Sequence, residues 1–144
     1  MKCLFLLLPL FATLLHAEPV QIPKGIDHQP FDRLLSKYVD DQGLVDYISW
    51  KANAEDMQSF SSYLKQYASD ESTAEANEQI AGLLNAYNAF TIKLILDNYP
   101  TESIRLLDDP FKGKHHLVGG RMVSSDEIEH DTLRPLIGWK VHAL

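Results

Sequence analysis

The chain has 144 residues, of which 45% are hydrophobic and 23% are charged, and its formal net charge is −7 at pH 7. This length suits one domain with its own hydrophobic core rather than two domains. The excess of acidic side chains gives no electrostatic attraction to nucleic acid or anionic lipid, so we expect no nucleic-acid partner.

The first 17 residues predict a secretory signal peptide. Lys2 gives a positive start, a mostly apolar run extends from Cys3 to Leu15, and Ala17 is the small residue that a signal peptidase requires. We therefore expect a periplasmic or secreted protein of 127 residues and net charge −8 that keeps no membrane span. The alternative is an uncleaved anchor, which the shortness of the apolar run disfavours. Cys3 is the only cysteine, so the mature chain would have neither a disulfide nor a thiol nucleophile.

The first half of the mature chain predicts an extended lead-in followed by helices. Residues 18–30 contain three prolines and a glycine, which favour extended structure. Apolar spacing over residues 31–39 predicts a helix that ends at Gly43, a residue suited to a left-handed cap. Residues 44–48 predict a short strand, and residues 49–68 predict a second helix.

A third, long helix is predicted over residues 74–99, with its polar first half exposed and its second half buried, and Pro100 ends it. Asn85, Asn88 and Thr91 interrupt the apolar second half at three-residue spacing, so they lie close together on one face. A buried amide needs hydrogen-bond partners. These residues therefore either tie the core together or line a polar site.

The last third predicts a turn, a hairpin and a fourth helix. Residues 103–107 predict a short helical turn, and Gly119 with Gly120 predicts a hairpin because glycine readily adopts positive φ. Ser124 and Glu127 match a capping box at the start of a helix. The order of elements predicts an α+β fold, a helix-rich single domain with a small β-hairpin or sheet.

The fourth helix is expected to contact the core through Ile128, Leu133 and Leu136. Pro135 lies near its end. The apolar residues 139–144 that follow are typical of a strand.

Glu129 and His130 are the candidate catalytic residues. Asp126 and Glu127 precede His130 by four and three residues, which is close enough on a helix to orient its ring. His130 would then act as a general base, or Glu129 would orient a group on another element. Adjacent helical residues do not face each other, so no direct pair between the two is expected. The alternative is a solvated acidic turn with one structural histidine.

The candidate binding residues are mostly amides and arginines. Asn85, Tyr87 and Asn88 on the long helix would polarise a carbonyl, orient a histidine or hydrogen-bond a loop. Arg105 and Arg134 would bind a carboxylate or phosphate through their planar guanidinium groups, or pair with surface acids.

The histidines are also candidate metal ligands. His115, His116, His130 and His142, with Glu129, are residue types that bind zinc. The sequence has no His-Glu-x-x-His motif, and adjacent histidines on a strand would direct their rings to opposite faces. No metal and no cofactor is therefore predicted.

Several short segments together resemble one protein family. They are Phe31-Asp32-Arg33-Leu34-Leu35 with Tyr38-Val39, Gly43-Leu44-Val45-Asp46-Tyr47, Asn85-Ala86-Tyr87-Asn88-Ala89-Phe90-Thr91-Ile92, Tyr99-Pro100 with Ser103-Ile104-Arg105, and Ile128-Glu129-His130 with Leu133-Arg134-Pro135. Their combination and spacing resemble the domain of unknown function 547 (DUF547) family, which occurs in exported bacterial proteins and in some plant proteins. The looser matches are Gly82-Leu83, where the family usually has aromatic residues, and Ser125, where it often has leucine.

This resemblance implies that Glu129 and His130 are site residues, with His142 as a third. It also implies that residues 141–144 begin a strand that in the family leads to a segment of the form Cys-x-Ser-x-x-Cys-Pro. We therefore expect this chain to be the first part of a longer domain, incomplete at its C-terminal side. The cysteine segment and the Glu-His motif suggest thiol–histidine hydrolase chemistry for the family, for which the mature chain has no thiol.

The leading hypothesis is an exported member of this family with a polar cleft made by Asn85, Asn88, Glu129 and His130, and without thiol catalysis. A second hypothesis is a non-catalytic periplasmic interaction or binding module that self-associates through uncovered apolar surface. A third is a metal-dependent hydrolase that uses histidine and glutamate ligands.

Overall fold

The computed structural model describes residues 18–138. The predicted signal peptide and residues 139–144, which include His142, lie outside the described residues. In chain order the elements are α1 (Gln29–Tyr38), α2 (Tyr47–Ala52), α3 (Ala54–Lys65), α4 (Ala76–Asn98), β1 (His116–Val118), β2 (Arg121–Val123), a π-helix (Glu127–Leu133) and α5 (Arg134–Ile137), with 3₁₀ turns at Gln66–Ala68 and Ile104–Leu106. The predicted helix-rich α+β fold is confirmed. Within this range no helix combines the length and hydropathy that a bilayer crossing needs.

The single helix predicted over residues 49–68 is wrong, because the chain breaks at Asn53 into α2 and α3. Asn53 has extended backbone angles (φ −94°, ψ 101°), and its side chain accepts a hydrogen bond of 3.1 Å from the backbone N–H of Asp56. Asparagine is among the strongest N-cap residues. Asn53 therefore ends one helix and begins the next.

The strand predicted over residues 44–48 is reduced to one bridge between Val39 and Val45. Helix α2 begins at Tyr47, because the Asp46 side chain accepts a hydrogen bond of 3.0 Å from the N–H of Ser49 and caps the helix. Gly43 has the predicted positive φ of 80°. The predicted cap is wrong, because α1 ends at Tyr38 with Val39 as its C-cap and Gly43 lies in the turn that follows. The strand after this turn is not formed.

The extended lead-in is part of the core. Val20 and Ile22 are fully buried, and the side chain of Gln79 on α4 hydrogen-bonds both of them. Its Oε1 accepts from the Ile22 N–H at 2.8 Å, and its Nε2 donates to the Val20 carbonyl at 2.7 Å. The Gln79 side chain therefore hydrogen-bonds the backbone of the lead-in as a neighbouring strand would. The first half of the long helix was predicted to be exposed, and this prediction is wrong at Gln79, which is buried.

Aromatic rings from α1, α2 and α3 fill the centre of the helical core. Phe31 stacks on Tyr63 with ring centroids 5.0 Å apart, and Tyr38 stacks on Trp50 at 4.9 Å. Each such pair adds about 0.5–1.5 kcal/mol beyond the burial of its area. These contacts hold the first three helices together.

The core contacts predicted for the fourth helix are confirmed for two residues of three. Ile128 and Leu133 are buried, whereas Leu136 is 53% exposed. Leu136 lies in α5 after the π-helix, and the change of helical period turns this part of the chain away from the core.

The predicted hairpin is confirmed. β1 and β2 pair antiparallel around Gly119 and Gly120, whose φ angles are 55° and 75°. The N–H of Gly119 donates a hydrogen bond of 2.8 Å to the Tyr67 carbonyl. This bond fixes the hairpin against the 3₁₀ turn that follows α3. The π-helix begins four residues after the end of β2, so the position of the hairpin also sets where the π-helix starts.

Candidate functional site

A capping box opens the candidate site, as predicted. The N–H of Ser124 donates to Glu127 Oε2 at 2.8 Å, and the N–H of Glu127 donates to Ser124 Oγ at 3.1 Å. Lys114 Nζ and Arg121 Nη1 lie 3.1 and 3.3 Å from Glu127 Oε1. Burial alone would raise the pKa of Glu127, but these donors and positive charges outweigh it, and the pKa is lowered. Glu127 is therefore a buried anion that fixes the start of the helix.

After this cap the chain forms a π-helix rather than the expected regular helix. The N–H of Arg134 bonds the carbonyl of Glu129, five residues earlier. Thr132 holds the same turn, because its Oγ1 donates to the Glu127 carbonyl at 3.0 Å and accepts from the Val20 N–H at 2.9 Å. π-Helical turns are rare in proteins, and those that occur often lie at functional sites. The two candidate catalytic residues both lie in this turn.

Glu129 is held by Arg134 and lies near Tyr87 on α4. Arg134 Nη2 donates to Glu129 Oε1 at 2.9 Å. Burial would raise the pKa of Glu129, but the Arg134 hydrogen bond, the charge of His130 and the nearby Tyr87 hydroxyl lower it. Burial, and next the charge of Glu129, raise the pKa of Tyr87, so its hydroxyl stays protonated. We call Tyr87, Asp126, Glu129, His130 and Arg134 the Glu129 cluster.

The His130 ring is 43% exposed and lies between two carboxylates. Its Nε2 is 3.9 Å from Asp126 Oδ1, and its Nδ1 is 3.9 Å from Glu129 Oε1. The expectation that Glu129 and His130 would not pair is wrong, because a π-helix turns less per residue than an α-helix. Of the two acids predicted to orient the ring, Asp126 faces it and Glu127 does not.

Asn85 has a different partner. Its Nδ2 lies 3.2 Å from Nδ1 of His28, and that nitrogen lies 3.0 Å from the Tyr63 hydroxyl. The network continues to the Tyr67 hydroxyl at 2.7 Å, which donates to the Gly82 carbonyl at 3.4 Å. Asn85 therefore ties α4 to the start of α1 and to α3.

Burial keeps the tyrosines of this network protonated. It raises the pKa of Tyr63 to about 12 and raises that of Tyr67 further. The sequence reasoning missed His28, which occupies the N-cap position of α1 without capping it through its side chain. The only signal was a histidine at a helix start in a position where Ser, Thr, Asp or Asn is preferred.

The structure divides the predicted site residues into separate places. Asn85 and Tyr87 are two residues apart on α4, or about 200° around the helix, so they face different neighbours. Asn88 is exposed. Arg105 is exposed in a 3₁₀ turn, and His142 lies outside the described residues. Tyr87 joins the two candidate catalytic residues, whereas a single cleft that also contains Asn85 and Asn88 stays a prediction.

The histidines outside the cluster differ in environment. His115 is exposed, whereas His116 in β1 is buried, and their ring centroids are 6.3 Å apart. Among residues 18–138, no three side chains of His, Cys, Asp or Glu converge where they would hold a metal ion. The predicted alternative of a metal-dependent hydrolase has no cluster of ligands in this part of the chain.

The fold and the Glu129 cluster define a helix-rich α+β domain with an ionic site on a π-helix. The chain belongs to the family described as "Protein of unknown function, DUF547", whose model matches residues 71–142. The matched segment contains α4, the hairpin and the π-helix, and therefore every member of the Glu129 cluster. Neither a curated protein nor a solved structure matches this chain.

Proposed function

We propose that the chain is an exported protein, periplasmic or secreted, whose functional site is the Glu129 cluster. In this proposal the cluster binds a polar ligand and exchanges a proton with it through His130, without a thiol. The supporting observation is the position of the His130 ring, since each ring nitrogen lies 3.9 Å from a carboxylate oxygen. This distance exceeds a hydrogen bond. The ring therefore lies between two carboxylates without a hydrogen bond to either, and 43% of the side chain is exposed to a ligand.

The other members of the cluster have supporting roles in the proposal. Glu129 is held by Arg134, and its lowered pKa makes it a weak base. It would act as a positioning residue for His130 rather than as the proton acceptor. A positioned histidine that acts as a general acid or base typically contributes about 10²–10⁴-fold to a rate.

Hydrolysis of ethyl dichloroacetate tests the proton-transfer role without a known substrate, because imidazole accelerates the hydrolysis of such an alkyl ester as a general base on water rather than as a nucleophile. We expect His130→Gln to lower the rate above buffer by at least about tenfold, at the low end of general-base effects. His115→Gln is the matched control, since His115 is also exposed but lies outside the cluster. Equal rates for the two variants would refute the role of His130.

Export is tested separately by expressing the full chain in a bacterial host. We expect the protein in the periplasm or medium with Glu18 as its first residue, determined by N-terminal sequencing. Ala17→Lys should block cleavage, because the peptidase requires a small residue there. An intact N-terminus in the cytoplasmic fraction would contradict export and leave the acid–base proposal standing.

A second candidate function is self-association through the hairpin. Leu117 and Met122 are paired across β1 and β2 and are 44% and 47% exposed, which leaves an apolar outer face on a two-stranded sheet. Open strand edges and apolar faces favour pairing with a second copy. Analytical ultracentrifugation should show a dimer that Leu117→Thr with Met122→Thr converts to a monomer, while Leu106→Thr, at an exposed leucine outside the hairpin, leaves it dimeric. A wild-type monomer at all concentrations would reject this candidate.

A further inference from the structure

A groove of about 280 Å³ lies between α3, α4 and β1, and it shares no residue with the Glu129 cluster. Leu64 and Phe90 form an apolar part of its lining. Lys65 and Lys93 come from the two helices on either side, and His116 contributes from β1. The volume is just below the range of about 300–1,000 Å³ that is usual for ligand pockets. A ligand here would be small.

The charge of the groove is opposite to that of the chain. The chain carries a net charge of −7, yet no aspartate or glutamate is among the described residues that line this groove. Lys93 pairs with Asp97, one helical turn later, and Asp97 does not line the groove. Lys65 is exposed and forms no ion pair within 4.0 Å with any residue in the range 18–138. The groove therefore presents one uncompensated positive charge beside a neutralised pair.

His116 adds a polar but uncharged surface. Its ring stacks on Phe90 with centroids 4.2 Å apart, and its Nε2 lies 3.3 Å from Ser125 Oγ. Burial, and next the charges of His115 and Lys93, lower the pKa of His116 to about 4. The imidazole is therefore neutral at pH 7, and Lys65 supplies the uncompensated positive charge of the groove.

We propose that this groove binds a small amphiphilic carboxylate, with its apolar group against Leu64 and Phe90 and its carboxylate at Lys65 and Lys93. The apolar lining requires a ligand with a hydrocarbon part. The single uncompensated charge of Lys65 matches one negative charge, which favours a carboxylate over a doubly charged phosphate ester. The groove favours an anion modestly, because Lys65 is exposed to solvent and the lining residues add no negative charge of their own.

The probe for this site is 3-phenylpropionate, titrated into the full chain and followed by amide NMR shifts. We expect a Kd on the order of 1 mM, as for a ligand of this size. The largest shifts should fall at Lys93, His115 and Leu117, which line the groove. The neutral isostere 3-phenylpropionamide should bind at least about fivefold more weakly, since it loses the charge-assisted contact. Equal binding of the amide, or shifts that fall elsewhere, would overturn the proposal.

Two further experiments distinguish the contribution of the Lys65 charge from that of the apolar contact. Lys65→Gln should weaken 3-phenylpropionate by about two- to fivefold, which is the range expected for an exposed charge pair. Lys24→Gln, at an exposed lysine outside the groove, should leave the Kd unchanged. Inorganic phosphate at the same concentration should give no comparable shifts. Equal effects of the two lysine variants, or phosphate shifts as large as those of the carboxylate, would reject an amphiphile site.

Discussion

Replacing Thr132 by valine tests whether one hydroxyl joins the lead-in to the π-helix. Thr132 is 2% exposed, and its Oγ1 accepts from the Val20 N–H and donates to the Glu127 carbonyl. Valine has nearly the same shape and keeps the branched Cβ. The substitution therefore removes two hydrogen bonds and leaves the packing in place.

The expected cost follows from those two bonds. The buried N–H of Val20 loses its acceptor, and an unsatisfied buried donor costs about 1–3 kcal/mol. The lost bond to the Glu127 carbonyl adds about 1 kcal/mol. The free energy of unfolding should thus fall by about 2–4 kcal/mol, a large share of the roughly 5–15 kcal/mol that is usual for a domain.

Urea unfolding followed by tryptophan fluorescence measures this loss, because Trp50 is fully buried. With a slope of about 2 kcal/mol per molar, the midpoint should move down by about 1–2 M. Thr91→Val is the matched control, since the Thr91 hydroxyl only donates to the Tyr87 carbonyl within α4 and should cost less than about 1 kcal/mol. If both variants unfold at the same urea concentration, Thr132 does not link the two segments as argued.

Three further predictions concern stability. Gly82→Ala should lower the melting temperature despite a gain in helix propensity of up to about 1 kcal/mol, because its Cβ would lie 2.6 Å from Ile22 Cγ2; Ala81→Gly gives the ordinary propensity effect for comparison. Glu127→Gln should flatten the acid loss of stability in melts from pH 7 to 3, because the lowered pKa of Glu127 makes its contribution complete above about pH 4.5 and lost as the pH falls. Tyr63→Phe should reduce the alkaline loss, because a pKa raised from 10.0 to about 12 gives stability that is complete below pH 10 and lost as the pH rises toward 12.

Features decided by a few adjacent residues could be predicted from the sequence. The hairpin follows from Gly119 and Gly120, the capping box from Ser124 and Glu127, and the end of α4 from Pro100. In each case a local backbone preference or a side chain three residues away decides the structure, and distant parts of the chain do not oppose it. The break at Asn53 also had a local signal, an asparagine followed by acidic residues, and the apolar spacing on both sides concealed it.

Features that depend on distant contacts could not be predicted. The π-helix is held in part by the bond between Val20 and Thr132, which are 112 residues apart. The partner of Asn85 is His28, 57 residues away, and no pattern within α4 identifies it. The sequence therefore indicated that the amide needed a partner but left open whether the helix builds a core tie or a site.

The bond between Val20 and Thr132 has a consequence for synthesis. The N-terminal segment leaves the ribosome first, yet the hydroxyl and the Gln79 amide that hold it are made 59 or more residues later. Until Thr132 has emerged, Val20 lacks the acceptor it uses in the finished fold. Closing so long a loop also carries an entropic cost, so this contact should form late. The amide proton of Val20 should then exchange with solvent when this segment detaches, before the whole domain unfolds, which makes it a single-site reporter of that local opening.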